Sequence, residues 1–258
     1  MASTIKVNTL DTQTGTELAL AATKKITGDN TQFKITGGSS GDVLTTNGSG
    51  VLSWGGMAGF AGVHADITSG SSVYTVPTGT TKLVVYLTGA GGGGAGGDTT
   101  TGQGSGGGGA GTVIARVTVV AADTITIALG AGGAGGAQST AGTIGGDSTF
   151  THTTGTGSFD TITGPGGLAG VTSGRNGDPV APTIGASNEG IAIKGGRGDN
   201  QSSGNSFWGQ GGIKGSHSSW SAYDADPYGA GGGGGTYSTG LFNGGTGAVG
   251  ACFIMEFK

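Results

Sequence analysis

The run Gly89-Ala90-Gly91-Gly92-Gly93-Gly94-Ala95-Gly96-Gly97 limits this chain more than any other feature, because comparably glycine-dense stretches fill 89–111, 130–146 and nearly all of 155–247. Glycine takes 64 of the 258 positions. A helical protein is excluded, since glycine costs roughly 1 kcal/mol at each helix-interior position relative to alanine. Collagen is excluded too, because the glycines do not recur every third residue and prolines number only 5. Disorder fits poorly: the net charge is −4, the mean hydropathy is near zero, and compact Val/Ile/Thr segments interrupt the glycine.

Those interruptions read as strands. Val73 to Val76, Lys82 to Leu87, Thr112 to Val119 and Thr124 to Leu129 show partial period-two alternation, with turns at 77–80 and 121–123. A final apolar run, 248–257, returns late in the chain to early strands, which is how an antiparallel sandwich closes. Upstream, Val43 and Leu44, then Val51, Leu52 and Trp54, stand between glycine-rich turns. Such hairpin-sized strands are marginal alone, so they are expected to bury themselves against copies of the same chain.

Long structureless insertions are uncommon in compact domains unless they are functional. A glycine-only backbone can pack chain against chain at close distance, and extended polyproline-II-like runs can hydrogen-bond side by side. That packing is the expectation here. A floppy linker is the weaker reading, because Phe207, Trp208, Trp220, Tyr223, Tyr228 and Tyr237 break the glycine.

Charge and cysteine usage narrow the partners. A pI near 5.2 with no basic block leaves no footprint for nucleic acid. The single cysteine, Cys252, cannot form an intrachain disulfide, which suits assembly in a reducing cytosol. The run 18–22 is too short for a signal-peptide core, and no run reaches the roughly 18 apolar residues of a membrane span. Neither Sec export nor membrane insertion is expected.

Motifs for chemistry are thin. Gly89 to Gly94 matches G-x-G-x-x-G after a strand, but no helix pattern follows to present amides to a pyrophosphate. His64, His152 and His217 stand far apart, so no metal site is expected. Asp224 and Asp226, with Asp199 and Asn200, read as turn residues rather than calcium ligands, and Arg197-Gly198-Asp199 also reads as a turn. No catalytic residue and no cofactor are assigned. The informative interval runs from Phe207 to Phe242, where Phe207, Trp208, Trp220, Tyr223, Tyr228 and Tyr237 are spaced by glycine, serine and short polar residues, the composition of a binding loop surface. The same aromatics could instead anchor the glycine packing as its bulky groups.

The opening MASTIKVNTLDTQTGTELAL resembles the N-termini of bacteriophage structural fibres, and TGGSSGDVLTTNGSGVLSWGG resembles a shaft element of trimeric tail-fibre proteins. YTVPTGTTKLVVYLTGAGGGGAGG, TITIALGAGGAGG and GGTGAVGACFIMEFK are similar to the glycine-rich domain at the ends of phage tail fibres and adhesins. The resemblance implies a homotrimeric virion protein in three parts. Residues 1–30 would form an attachment segment, with Ile5, Val7 and Leu10 docking on tail, portal or capsid proteins. Residues 31–60 would form a short trimeric β shaft, and 61–258 a head.

The expected fold is therefore mainly β, with almost no helix: an extended N-terminal segment, the β shaft, and an antiparallel β-sandwich with long polyglycine-like loops. The expected function is that of a non-enzymatic tail fibre on the virion exterior, whose head binds a bacterial surface receptor, either outer-membrane protein or polysaccharide. A capsid-borne head fibre or decoration protein, and a glycine-rich ice- or surface-binding protein, are the alternatives.

Overall fold

The computed structural model describes residues 42–46, 49, 52–56, 59–66, 68–98, 102–174, 179–200, 202–215, 222–236 and 242–258. The attachment segment, with Ile5, Val7 and Leu10, and the expected site residues Trp220 and Tyr237 lie outside them. The described residues form strands, turns and extended segments, with no helix. Contacts divide the chain into two units, Met1–Gly56 and Met57–Lys258.

In the first unit, β1 (Asp42–Thr46) and β2 (Leu52–Gly56) make an antiparallel hairpin that sets Leu44 opposite Trp54 and Thr46 opposite Leu52. Thr45 Oγ1 donates to the Ser53 carbonyl at 3.1 Å. Its apolar side chains find little cover within the hairpin: Leu52 is 57% exposed.

The second unit is a sandwich of two antiparallel sheets. One follows the order β10 (Glu189–Ile193), β6 (Thr112–Thr118), β5 (Lys82–Thr88), β11 (Ala251–Phe257), β3 (Phe60–Asp66), and the other β4 (Gly70–Thr75), β7 (Thr124–Leu129), β8 (Ser148–Thr154), β9 (Ile162–Gly164). Alternation decides which side chains meet between the sheets. Leu83, Val85 and Leu87 of β5, Val113 and Val117 of β6 and Ile254 of β11 pack with Ile125 and Ile127 of β7, Phe150 of β8 and Ile162 of β9 in one buried core. Outward, the register lines up Ile191, Ile114, Tyr86, Phe253 and Ala65 in a row across the five-stranded sheet.

Every glycine-rich insertion leaves from the same end of this sandwich. The chain exits at Thr88, Leu129, Gly164 and Ile193, and the pairs Thr88↔Thr112, Thr88↔Ala251, Ile193↔Thr112 and Ser148↔Gly164 put these exits level with the returns at Thr112, Ser148 and Ala251, whereas the insertion after Gly164 re-enters the sheet at Glu189, opposite Arg116 and four residues down β10. Beyond it the insertions form a bundle around residues 89–97. The amides of 89, 92 and 95 donate to the carbonyls of 111, 108 and 105; those of 90, 93 and 96 to 146, 143 and 140; those of 91, 94 and 97 to 248, 245 and 242. All nine bonds lie between 2.8 and 3.1 Å. In return, the carbonyls of 91, 94 and 97 accept from 133, 136 and 139, those of 90 and 93 from 167 and 170, and those of 92 and 95 from 232 and 235. Residues 89–97 thus form a helix of three residues per turn, the polyproline-II period, ringed by three antiparallel and three parallel neighbours.

Close approach explains the composition. A Cβ at Gly91 would stand 1.8 Å from the Ala230 carbonyl oxygen, and one at Gly93 1.9 Å from that of Ala134. Ala90 and Ala95 occupy the positions where a methyl group does fit, and both are fully buried. The polyproline-like packing expected from the sequence is met here within a single chain, because a backbone without side chains can hydrogen-bond in six directions.

Candidate functional site

Two surfaces hold the residues of interest. The first covers the outer face of the five-stranded sheet where it passes into the bundle. A tight turn, closed by the Ser206 amide donating to the Gly209 carbonyl, carries Phe207 and Trp208 onto β5 and β11. The Trp208 ring centroid lies 4.8 Å from that of Phe253, 5.0 Å from Phe207 and 6.3 Å from Tyr86, and Tyr228 meets Phe253 at 6.0 Å. The indole Nε1 donates to Thr88 Oγ1 at 2.8 Å, and that hydroxyl shares a 2.9 Å hydrogen bond with Thr112 Oγ1. Edge and tilted ring contacts of this kind hold a half-buried cluster together. Phe207 stays 43% exposed at its rim.

The second surface is the end of the bundle farthest from the sandwich. Gly97, the last residue of the central helix, donates to the Phe242 carbonyl and accepts from Ser139, both at 2.8 Å. Gln103 bridges Thr236 at the same level. Two described turns there are polar and locally tied: Thr140 Oγ1 returns to the Ala137 carbonyl at 2.8 Å, and Asp199 Oδ1 accepts from the Ser202 amide at 2.8 Å and its hydroxyl at 3.2 Å. Beside this end, a depression of about 340 Å³ is lined by Ser202, Ser203, Asn205 and the segment 210–214. Lys214 Nζ donates to Gln103 Oε1 at 2.6 Å, and burial lowers the pKa of its ammonium. Asn205 Oδ1 accepts from the Gly211 amide at 3.1 Å, while the buried Ser203 hydroxyl reaches the Gly212 and Gly232 carbonyls at 2.6 and 3.0 Å.

A family model described as a glycine-rich domain matches residues 65–255, from β3 to β11. The chain belongs to the glycine-rich domain family. No curated protein matches it.

The glycine-rich domain separates the aromatic residues singled out in the sequence. Phe207, Trp208 and Tyr228 come together, on the sheet face. Tyr223 sits elsewhere, within the bundle wall, where its amide donates to Ile213 and its carbonyl accepts from Gly233; its residue is 48% exposed. Trp220 and Tyr237 fall outside the described residues.

Other motifs take structural roles. The G-x-G-x-x-G amides all end on carbonyls of neighbouring segments, so none points at a phosphate. In Arg197-Gly198-Asp199 the carboxylate caps its own turn, and Asp224 Oδ1 accepts from the Thr246 amide at 2.7 Å. Among the described residues no group of three or more His, Cys, Asp and Glu is placed to hold a metal ion. The depression at Lys214 was not singled out in the sequence, because its residues follow no motif; one signal was available, as Lys214 is the one Lys or Arg between Arg197 and Lys258.

Proposed function

We propose that this protein is a phage tail fibre on the virion exterior, anchored to the particle through residues 1–30 and binding a bacterial surface receptor through the far end of its glycine-rich bundle. The observation that carries this reading is the division of labour in the bundle. Neighbouring segments recognise one another through backbone hydrogen bonds, so the polar turns that close the far end can vary in sequence without disturbing the walls. The resemblance of the N-terminal and shaft segments to phage fibres, and membership of the glycine-rich domain family, support it further.

The test uses purified full-length chain and candidate host cells. Gln138→Trp, a bulky change in a far-end turn, is expected to weaken cell binding, whereas Thr78→Trp, in the exposed turn between β4 and β5, leaves it unchanged. Equal binding by both variants, or normal adsorption of particles lacking the protein, would overturn the receptor role. The same reading includes a homotrimer, for which the exposure of Leu52 on its hairpin is the support. Native mass spectrometry should find trimers, and Leu52→Glu should dissociate them. A monomeric wild-type chain would remove the trimer from the proposal.

A further inference from the structure

We propose that the depression bordered by Ser202, Asn205, Gln210 and Lys214 binds a saccharide unit carrying a carboxylate, with Lys214 Nζ on the acid group and Gln210 and Asn205 on ring hydroxyls. The inference rests on the receptor reading above and names the receptor chemistry.

Four observations converge on it. First, the lining is rich in hydroxyl and amide side chains, which both donate and accept, as a sugar hydroxyl does. Second, the walls are fixed before any ligand arrives: the Gly212 amide donates to Gly231, that of Gly204 to Gly107, and the Ser203 hydroxyl ties 203 to 212 and 232. Little ordering entropy is then lost on binding. Third, Lys214 is the one charged side chain among the described residues that line the depression, and its described partner, Gln103, is neutral. With a neutral hydrogen-bond acceptor as its partner among the described residues, a partly desolvated ammonium gains from an incoming anion. One ammonium matches a monoanionic carboxylate; a phosphate dianion is better served by a guanidinium fork or paired cations. Fourth, Ile213 borders the site at 72% exposure and offers an apolar surface to the C–H face of a sugar ring. A volume of about 340 Å³ suits a small ligand.

Calorimetric titration of the full chain with tetragalacturonate, its methyl ester and inorganic phosphate tests the idea. Tetragalacturonate should bind, the neutral ester about tenfold more weakly, and phosphate alone more weakly still. Lys214→Met should lower the affinity for tetragalacturonate about tenfold, and Lys214→Arg should largely restore it. No binding, equal binding of acid and ester, or an unchanged affinity in a folded Lys214→Met chain would overturn the site. Should Lys214→Met not fold, Gln210→Ala at an exposed position serves instead; a severalfold loss supports the site and an unchanged affinity overturns it. Cell adsorption separates the two readings. Adsorption that persists under millimolar tetragalacturonate overturns the depression as the receptor contact and leaves the receptor role standing, whereas calorimetric binding without any cell adsorption overturns the receptor role alone.

Discussion

Trp208 Nε1 hydrogen-bonds Thr88 Oγ1 across 120 residues of sequence, and the contact ties the last long insertion to the point where β5 becomes the central polyglycine helix. Trp208→Ala should destabilise the chain by about 2–4 kcal/mol, since it removes a half-buried ring and its hydrogen bond together. Trp208→Phe keeps most of the ring contact and should cost about 1–2 kcal/mol. Thermal denaturation by circular dichroism gives both values; equal stability of Trp208→Ala and wild type would show that the cluster does not hold the insertion in place.

Glycine positions differ sharply in what they tolerate. Gly93→Ala drives a methyl into the Ala134 carbonyl oxygen, 1.9 Å away, and should abolish folding or cost more than about 4 kcal/mol. Gly59→Ala meets nothing within 4 Å and should change stability by no more than about 0.5 kcal/mol. Denaturant titration of the pair measures the contrast, and similar midpoints would contradict the six-neighbour packing of 89–97.

Asp123 gives the domain an acid limit. Its residue is only 1% exposed, and its carboxylate accepts from the amides of Val120, Thr156 and Gly157 at 2.9, 3.0 and 3.3 Å, with His152 at 3.6 Å. Burial opposes the charge, but the amide hydrogen bonds and His152 outweigh it and lower the folded pKa below the ordinary 3.8. A lowered carboxylate pKa contributes stability that is complete above about 3.8 and is lost as pH falls through the lower folded value. Melting temperature should therefore drop on acidification below that range, and Asp123→Asn should flatten the drop while lowering stability at neutral pH by about 2 kcal/mol. An acid profile unchanged in Asp123→Asn would assign the limit to other groups.

Cys252 is fully buried, and burial together with the nearby Asp66 raises its thiol pKa. The native chain should resist iodoacetamide at pH 8, while chain unfolded in guanidinium takes up one carbamidomethyl group, as read by intact mass. Rapid native labelling would mean that the β3 edge opens.

Strands β4 to β7 and β11 were legible because Val, Ile, Leu and Tyr alternate along them. β3, β8, β9 and β10 were not. Phe150 is the one large apolar side chain in β8, among threonines, and Gly190 interrupts β10, so neither run carries the period on its own. These strands exist because a neighbour completes the sheet. The kind of glycine packing was legible as well, since a chain poor in side chains has few other ways to order itself. Its phase was not: nothing in the residues says that Gly93 donates to Thr143 rather than to another of many equivalent carbonyls. Likewise the aromatics advertised contact surface, but Trp208 found its partners on β5 and β11, and Lys214 shares its depression with residues that carry no recognisable spacing.

The three-residue turn of the central helix also sets the grain of variation open to such a protein. One residue inserted within 89–97 would rotate every later amide by about 120° and hand each hydrogen bond to the wrong neighbour. Three inserted residues restore the phase and lengthen the rod by roughly 9 Å. Changes in length should therefore accumulate in nine-nucleotide steps along the rods, while the far-end turns, where no phase is kept, can gain or lose single codons.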